Sequence, residues 1–319
     1  MVHPQARAFL DQLAAVQRPP IDQIPVADIR AWYEETFARL GGTPAEVGAV
    51  REVEAPGPRG PIPIRVYTPR GEDAVRPLFV WYHGGGYVNG SPNSYDAVCR
   101  LLARESGCVV ASVDYRRAPE FPAPAPFEDC YAATEWLAAH ADELGADGTR
   151  LGIGGDSAGG GIAAAITLKA RDANGPRIAH QLLVYPNVGE GTESESYRAY
   201  GEGHFLTRER MEFYYHSYIQ SPEQAKSPYT YAYLAESLRG LPPATIVLAE
   251  CDPLHDQGAH YAQRLREAGV PVDLRVYAGM IHAFFSFIAI FDDGRRAVTE
   301  AGRAVGAALG APAAATSPA

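Results

Sequence analysis

Lysine is almost missing from this chain: of its 28 basic residues only Lys169 and Lys226 are lysines, and no run of basic residues occurs. With a formal net charge of -10, that excludes the positive footprint a nucleic acid or an anionic membrane surface requires. Cysteine is sparse too. Cys99, Cys108, Cys130 and Cys251 show no C-x-x-C spacing, so a zinc-type site is not expected. Each lies in or beside an apolar or helical stretch, the setting of a free, buried thiol. Nowhere does the chain approach the ~18 consecutive apolar residues of a membrane span. The opening Met1-Val2-His3-Pro4-Gln5-Ala6-Arg7 has no apolar leader core, so a cytoplasmic protein is the expectation. Also lacking are internal repeats, an H-E-x-x-H metal pattern and a G-x-x-x-x-G-K-[ST] phosphate loop; no metal is expected.

What remains is ordinary globular composition, 46% hydrophobic and 21% charged over 319 residues, enough for one large α/β domain with a cap. Residues 1–45 read as two amphipathic helices split by Arg18-Pro19-Pro20. The first carries Phe9, Leu10 and Leu13, the second Ile29, Trp32, Tyr33, Phe37 and Leu40. Two strand-like runs, Val47–Val53 and Ile62–Tyr67, look like an antiparallel edge. From residue 78 short apolar runs alternate with helical stretches. The expected strands are Leu78–Tyr82, Val109–Asp114, Leu151–Gly154, Gln181–Tyr185, Thr245–Glu250 and Val272–Tyr277. The helices expected among them are Tyr95–Glu105, Pro126–His140, Ala158–Asp172, Asp256–Ala268 and Gly294–Leu309. This rhythm predicts an α/β fold, a mostly parallel sheet of about eight strands flanked by helices. The core domain then comprises 46–186 and 243–309. The interval 187–242 exceeds a single crossover and is rich in aromatics (Phe205, Phe213, Tyr214, Tyr215, Tyr218, Tyr229, Tyr231, Tyr233), which fits a helical cap insertion over a pocket. The tail 310–319, built of Gly, Ala, Pro, Thr and Ser, reads as disordered.

Gly155-Asp156-Ser157-Ala158-Gly159 sits between the run Leu151–Gly154 and a helix, the strand–turn–helix setting of a nucleophile elbow. A serine there needs a base, a carboxylate to orient the base, and donors for an oxyanion. Asp252, just past the run Ile246–Ala249, is the carboxylate candidate, with Glu250 and Asp256 as rivals; Asp256 reads as a helix N-cap. His282, alone of nine histidines in following the last expected strand, is the base candidate. His83-Gly84-Gly85-Gly86 follows Leu78–Tyr82; the N–H groups of Gly84 and Gly85, with that of Ala158, are the expected oxyanion donors. His83 is read as pinning this loop. Tyr87 is taken to narrow the site, and Phe205 to line an acyl pocket. A dinucleotide loop is the competing use of such glycines, but Gly152-Ile153-Gly154-Gly155-Asp156-Ser157 has Ser where the third Gly belongs.

At these residues the chain resembles the hormone-sensitive-lipase family of α/β-hydrolases. His83-Gly84-Gly85-Gly86, Gly155-Asp156-Ser157-Ala158-Gly159, Asp252-Pro253-Leu254 and Gly279-Met280-Ile281-His282 carry the likeness. Asp114-Tyr115-Arg116-Arg117-Ala118-Pro119-Glu120, Glu128-Asp129-Cys130, Tyr185-Pro186 and Leu206-Thr207 add to it. It spans roughly residues 45–305. The departures are Arg117, where an apolar residue is usual, and His255 and Gln257, where Arg and Glu are common. The resemblance implies an α/β-hydrolase fold with a helical cap and hydrolysis of short- to medium-chain carboxylic esters without a cofactor. An amidase, lactonase or acyltransferase with the same triad is the alternative within the enzymes. A non-catalytic small-molecule receptor is the alternative outside them. The expected partner is a small-molecule ester, with no nucleic acid and no membrane; a homodimer is left open.

Overall fold

The computed structural model describes residues 1–71, 75–189 and 193–311. Eight strands form one sheet: β1 Ala49–Ala55, β2 Ile62–Thr68, β3 Arg76–Tyr82, β4 Val109–Val113, β5 Ala146–Asp156, β6 Ile178–Val184, β7 Ala244–Cys251 and β8 Val272–Ile281. Their order is β1-β2-β4-β3-β5-β6-β7-β8. The first two pairings are antiparallel and the remaining five parallel. The helices are α1 Pro4–Ala14, α2 Val26–Gly41, α3 Asp96–Ser106, α4 Ala125–Ala139, α5 Ala158–Asp172, α6 Glu195–Tyr200, α7 Arg208–Tyr218, α8 Pro222–Ala225, α9 His255–Glu267 and α10 Asp292–Leu309.

The apolar runs are continuous because the sheet is buried on both faces. In β3, Leu78, Val80 and Tyr82 point into a core completed by α4, α5 and α9, while Phe79 and Trp81 point into a second one completed by α1, α2, α3 and α10. All five are fully buried. The period of two thus delivers alternate side chains of one strand to two different helical layers.

Three sequence expectations shift. β5 begins at Ala146 rather than Leu151, because Ala146 and Asp147 pair with Arg76 and Pro77 before a register shift at Pro77/Leu78; backbone pairing there proceeds without an apolar signal. β8 continues past Tyr277 to Ile281, its pairing with β7 irregular between Ala249 and Cys251, so His282 follows the strand directly instead of after a loop. Asp256 is not an N-cap: α9 starts one residue earlier with Leu254 in the cap position, and the Asp256 carboxylate accepts the Ser196 N–H at 2.8 Å, tying α6 to α9. Within 187–242 lie α6, α7 and α8, with residues 190–192 outside the described part. Of the expected disordered tail, Gly310 closes α10 in the left-handed conformation, and 312–319 lie outside the described residues. All four cysteines are free and buried. Among the described residues no helix is long and apolar enough to cross a membrane.

Candidate active site

The loops that follow the parallel strands gather at one edge of the sheet, where open α/β sheets place their ligands. Ser157 leaves β5 at φ 54°, ψ -117° and becomes the N-cap residue of α5. This strained conformation is held by backbone bonds on both sides: Ser157 N–H donates to Val184 O, and Ser157 O accepts from Gly161 and Asn187. The turn closes only because Gly159 has no side chain; a Cβ there would lie 2.0 Å from Tyr82 O on β3. Positive φ also occurs at Tyr87 (63°), Tyr185 (31°) and Ala283 (69°), each on a loop leaving the sheet near Ser157.

Ser157 Oγ lies 2.9 Å from His282 Nε2, and His282 Nδ1 lies 2.7 Å from Asp252 Oδ2. The second Asp252 oxygen accepts the Leu254 N–H at 2.9 Å. Asp252 is fully buried and His282 nearly so. Its carboxylate accepts the Nδ1 proton, which leaves Nε2 as an acceptor aimed at the serine hydroxyl. Of the rival carboxylates, Glu250 is engaged elsewhere, accepting the Gly279 N–H at 2.7 Å.

The glycine loop differs from the sequence expectation. The Gly84 N–H donates at 2.8 Å to Asp156 Oδ1, so Gly84 is not an oxyanion donor. Gly85 (φ 113°) and Gly86 (φ 64°) take the turn instead and line the cavity with Ala158. Ala158, first residue of α5, has no acceptor for its N–H within the helix. Three consecutive glycines look alike in a sequence; the carboxylate that claims the first distinguishes them. His83 pins the loop as expected: Nδ1 lies 2.8 Å from Gly84 O, and the ring stacks on Tyr115 at 4.2 Å. Burial pulls its pKa down to about 3, so it is neutral. Tyr115 Oη donates to His83 O at 2.7 Å, and the Arg117 guanidinium donates to Gly90 O. Tyr115 and Arg117 are therefore scaffolding for this loop, while Arg116 turns away to Asp129 and Gly60 O.

Asp156, Tyr95 and Tyr33 were not singled out in the sequence. Asp156 Oδ2 accepts from Tyr95 Oη at 2.8 Å, and Tyr95 Oη lies 2.9 Å from Tyr33 Oη on α2. Burial raises the Asp156 pKa to about 7 against the opposing pull of these donors. An acid beside the nucleophile, at the end of an apolar strand, is the signal that could have found it: a carboxylate buried there must have donors.

A cavity of about 460 Å³ opens at Ser157 and His282. Tyr87 and Phe205 both line it, as do Trp32 and Phe37 from α2 and Tyr214 and Tyr218 from α7. α2 and the segment 187–242 thus both contribute walls to one cavity. Among the described residues no group of three or more His, Cys, Asp or Glu could hold a metal.

A family described as alpha/beta hydrolase fold matches residues 79–286. The carboxylic ester hydrolase LipN of Mycobacterium tuberculosis is 42% identical over 247 residues, 76% of this chain and 65% of LipN. The ethyl acetate hydrolase of Pseudomonas putida is 33% identical over 94% of this chain and 98% of its own length. Among solved structures, the ester-hydrolase EH1AB1 from the metagenome of Lake Arreo superposes with a TM-score of 0.94 at 39% identity, covering 97% of this chain and all of that one. With its sheet order, its serine elbow and these matches, the chain belongs to the α/β-hydrolase family, in the branch marked by hormone-sensitive-lipase-like motifs.

Proposed function

We propose that the protein is a serine carboxylesterase acting on short- to medium-chain esters through an acyl-enzyme. The observation that carries the reading is the unbroken contact line Ser157 Oγ–His282 Nε2 and His282 Nδ1–Asp252 Oδ2 at the floor of a largely aromatic cavity. Ser157 Oγ attacks the ester carbonyl as Nε2 takes its proton, and Asp252 stabilises the imidazolium. The N–H groups of Gly85, Gly86 and Ala158 receive the oxyanion; one such donor is worth about 3–4 kcal/mol of transition-state stabilisation. Collapse breaks the bond to the alcohol oxygen, which leaves with the proton from Nε2. Water, deprotonated in turn by His282, then releases the acid and restores Ser157.

The relatives named for ester and ethyl acetate hydrolysis support this chemistry. The base in hydrogen-bond reach of the serine argues against a receptor that keeps only the pocket. Four free, buried thiols support a reducing, cytoplasmic location, and the acidic charge supports a partner that is a small molecule rather than a nucleic acid or membrane.

Hydrolysis of p-nitrophenyl esters from C2 to C12 tests the reading, wild type beside Ser157→Ala. The expected result is turnover peaking at short chains and a kcat at least ~10⁴-fold lower in the variant. Undiminished turnover by Ser157→Ala would sink it.

A further inference from the structure

One corner of the cavity is polar without an evident need. Tyr87 and Tyr218 are 3% and 1% exposed and stack in parallel, ring centres 3.8 Å apart and planes 7° from coplanar. The Tyr87 hydroxyl is sealed from solvent with no hydrogen-bond partner. Tyr231 lies close enough to act electrostatically on both, its ring seated on Gly189, where a Cβ would come within 2.2 Å. All three line the same cavity as Ser157. A Cβ on Gly161 would stand 3.2 Å from Tyr87 Oη, so that hydroxyl abuts α5 four residues beyond the serine. Four residues of helix are roughly 6 Å, the span of some four to five chain bonds.

A phenol is an expensive way to fill an apolar corner. A buried hydroxyl left unpaired loses the hydrogen bonds it made with water, whereas phenylalanine offers the same ring without that penalty. Tyr87 is moreover held at φ 63°, a strained backbone for a bulky residue. Burial raises all three phenols well above their ordinary pKa, so each keeps its proton and can donate. A substrate oxygen reaching this corner would satisfy the one donor, the Tyr87 hydroxyl, that the folded protein leaves buried and unpaired, and a plain alkyl chain would not.

We propose that Tyr87, Tyr218 and Tyr231 form a hydrogen-bond subsite for an oxygen acceptor carried four to five bonds from the scissile carbonyl. The preferred substrates are then esters bearing a keto, ether or second ester oxygen in one chain. This rests on the carboxylesterase reading and names its substrate class.

The test compares p-nitrophenyl 5-oxohexanoate with p-nitrophenyl hexanoate, which places the oxygen in the acyl chain. 2-Oxopropyl butyrate against propyl butyrate places it in the alcohol. Each kcat/KM ratio is divided by the ratio for alkaline hydrolysis, which removes intrinsic reactivity. In one of the two series the corrected keto/alkyl ratio is expected to be about tenfold or more. Tyr87→Phe and Tyr231→Phe, which delete only the oxygen, should bring it toward one. The ratio is the readout, whatever happens to the absolute rates, and the melting temperature of Tyr87→Phe should not fall. Corrected ratios of one in both series, or a ratio unmoved by both variants, would overturn the subsite while esterase activity stands. Equal losses on keto and alkyl esters would mean that the phenols only pack, and would overturn it as well. Failure of wild type to turn over either series would instead remove the esterase reading beneath it.

Discussion

Asp156 is the residue whose environment is most at odds with its chemistry. It is almost wholly buried, accepts the Gly84 N–H and the Tyr95 hydroxyl, and neighbours both Ser157 and the imidazole of His282. Burial outweighs these donors and lifts its pKa to about 7. The unfolded carboxyl ionises near its ordinary value of 3.8, so between about pH 4 and 7 the native state holds more protons than the unfolded one. Stability from this group is therefore fully present below pH 4 and is lost as pH rises toward 7, by up to about 4 kcal/mol in all. Asp156→Asn removes the titration but keeps an acceptor for Gly84. Relative to wild type, the variant should gain stability in urea unfolding as pH is raised from 4.5 to 7.5. A stability difference independent of pH would show that Asp156 ionises normally. At pH 8.5, where Asp156 is ionised, kcat should also fall, by about tenfold, because the charged acceptor that fixes the glycine loop becomes a neutral one; unchanged kcat would show that the loop holds itself.

At the scale of elements, the roof over the cavity hangs on one aromatic hub. Phe287, fully buried, meets Phe9 of α1 at 5.5 Å, Phe37 of α2 at 4.9 Å, Phe205 ahead of α7 at 5.2 Å and Phe291 at 6.2 Å. Three elements distant in sequence converge on a side chain that does not line the cavity. Phe287→Ala should cost about 3–5 kcal/mol, and Val16→Ala, more than half exposed, within about 0.5 kcal/mol. Chemical denaturation of the two variants checks this; a Phe287→Ala loss below 1 kcal/mol would mean that the helices are seated by other contacts. None of these pairings is visible in the sequence. Periodicity revealed α1, α2 and the strands, because each carries its own apolar pattern, and the order of Ser157, Asp252 and His282 could be read because each follows a strand. The Gly84–Asp156 bond, the tyrosine relay to α2 and the start of β5 could not, because they depend on partners some sixty to seventy residues away. α6 and α8, of six and four residues, escaped as separate elements because they are too short to show a period, and α7 because Phe213, Tyr214 and Tyr215 occupy successive positions around it.

For the whole molecule, charge acts at two ranges, the net charge at a distance and the groups around the cavity close by. The chain carries -10 overall, which repels an anionic ester at long distance. Around the cavity both signs occur, Arg210 lining it together with Glu212 and Asp156. The guanidiniums of Arg18 and Arg210 lie 4.4 and 5.4 Å from the Trp32 ring centre, and among the described residues neither forms an ion pair with a carboxylate. Trp32 and Arg210 line the cavity. Screening separates the two contributions. At about 0.01 M salt the Debye length is near 30 Å and the net charge is felt; at about 0.15 M it is near 8 Å and mainly the groups around the cavity count. For the half-ester mono-p-nitrophenyl glutarate at pH 7.5, kcat/KM should rise severalfold across that range, while that of neutral p-nitrophenyl butyrate stays constant. A fall with salt for the half-ester would mean that the two arginines dominate even at long range. A flat response would mean that neither field reaches the approaching substrate.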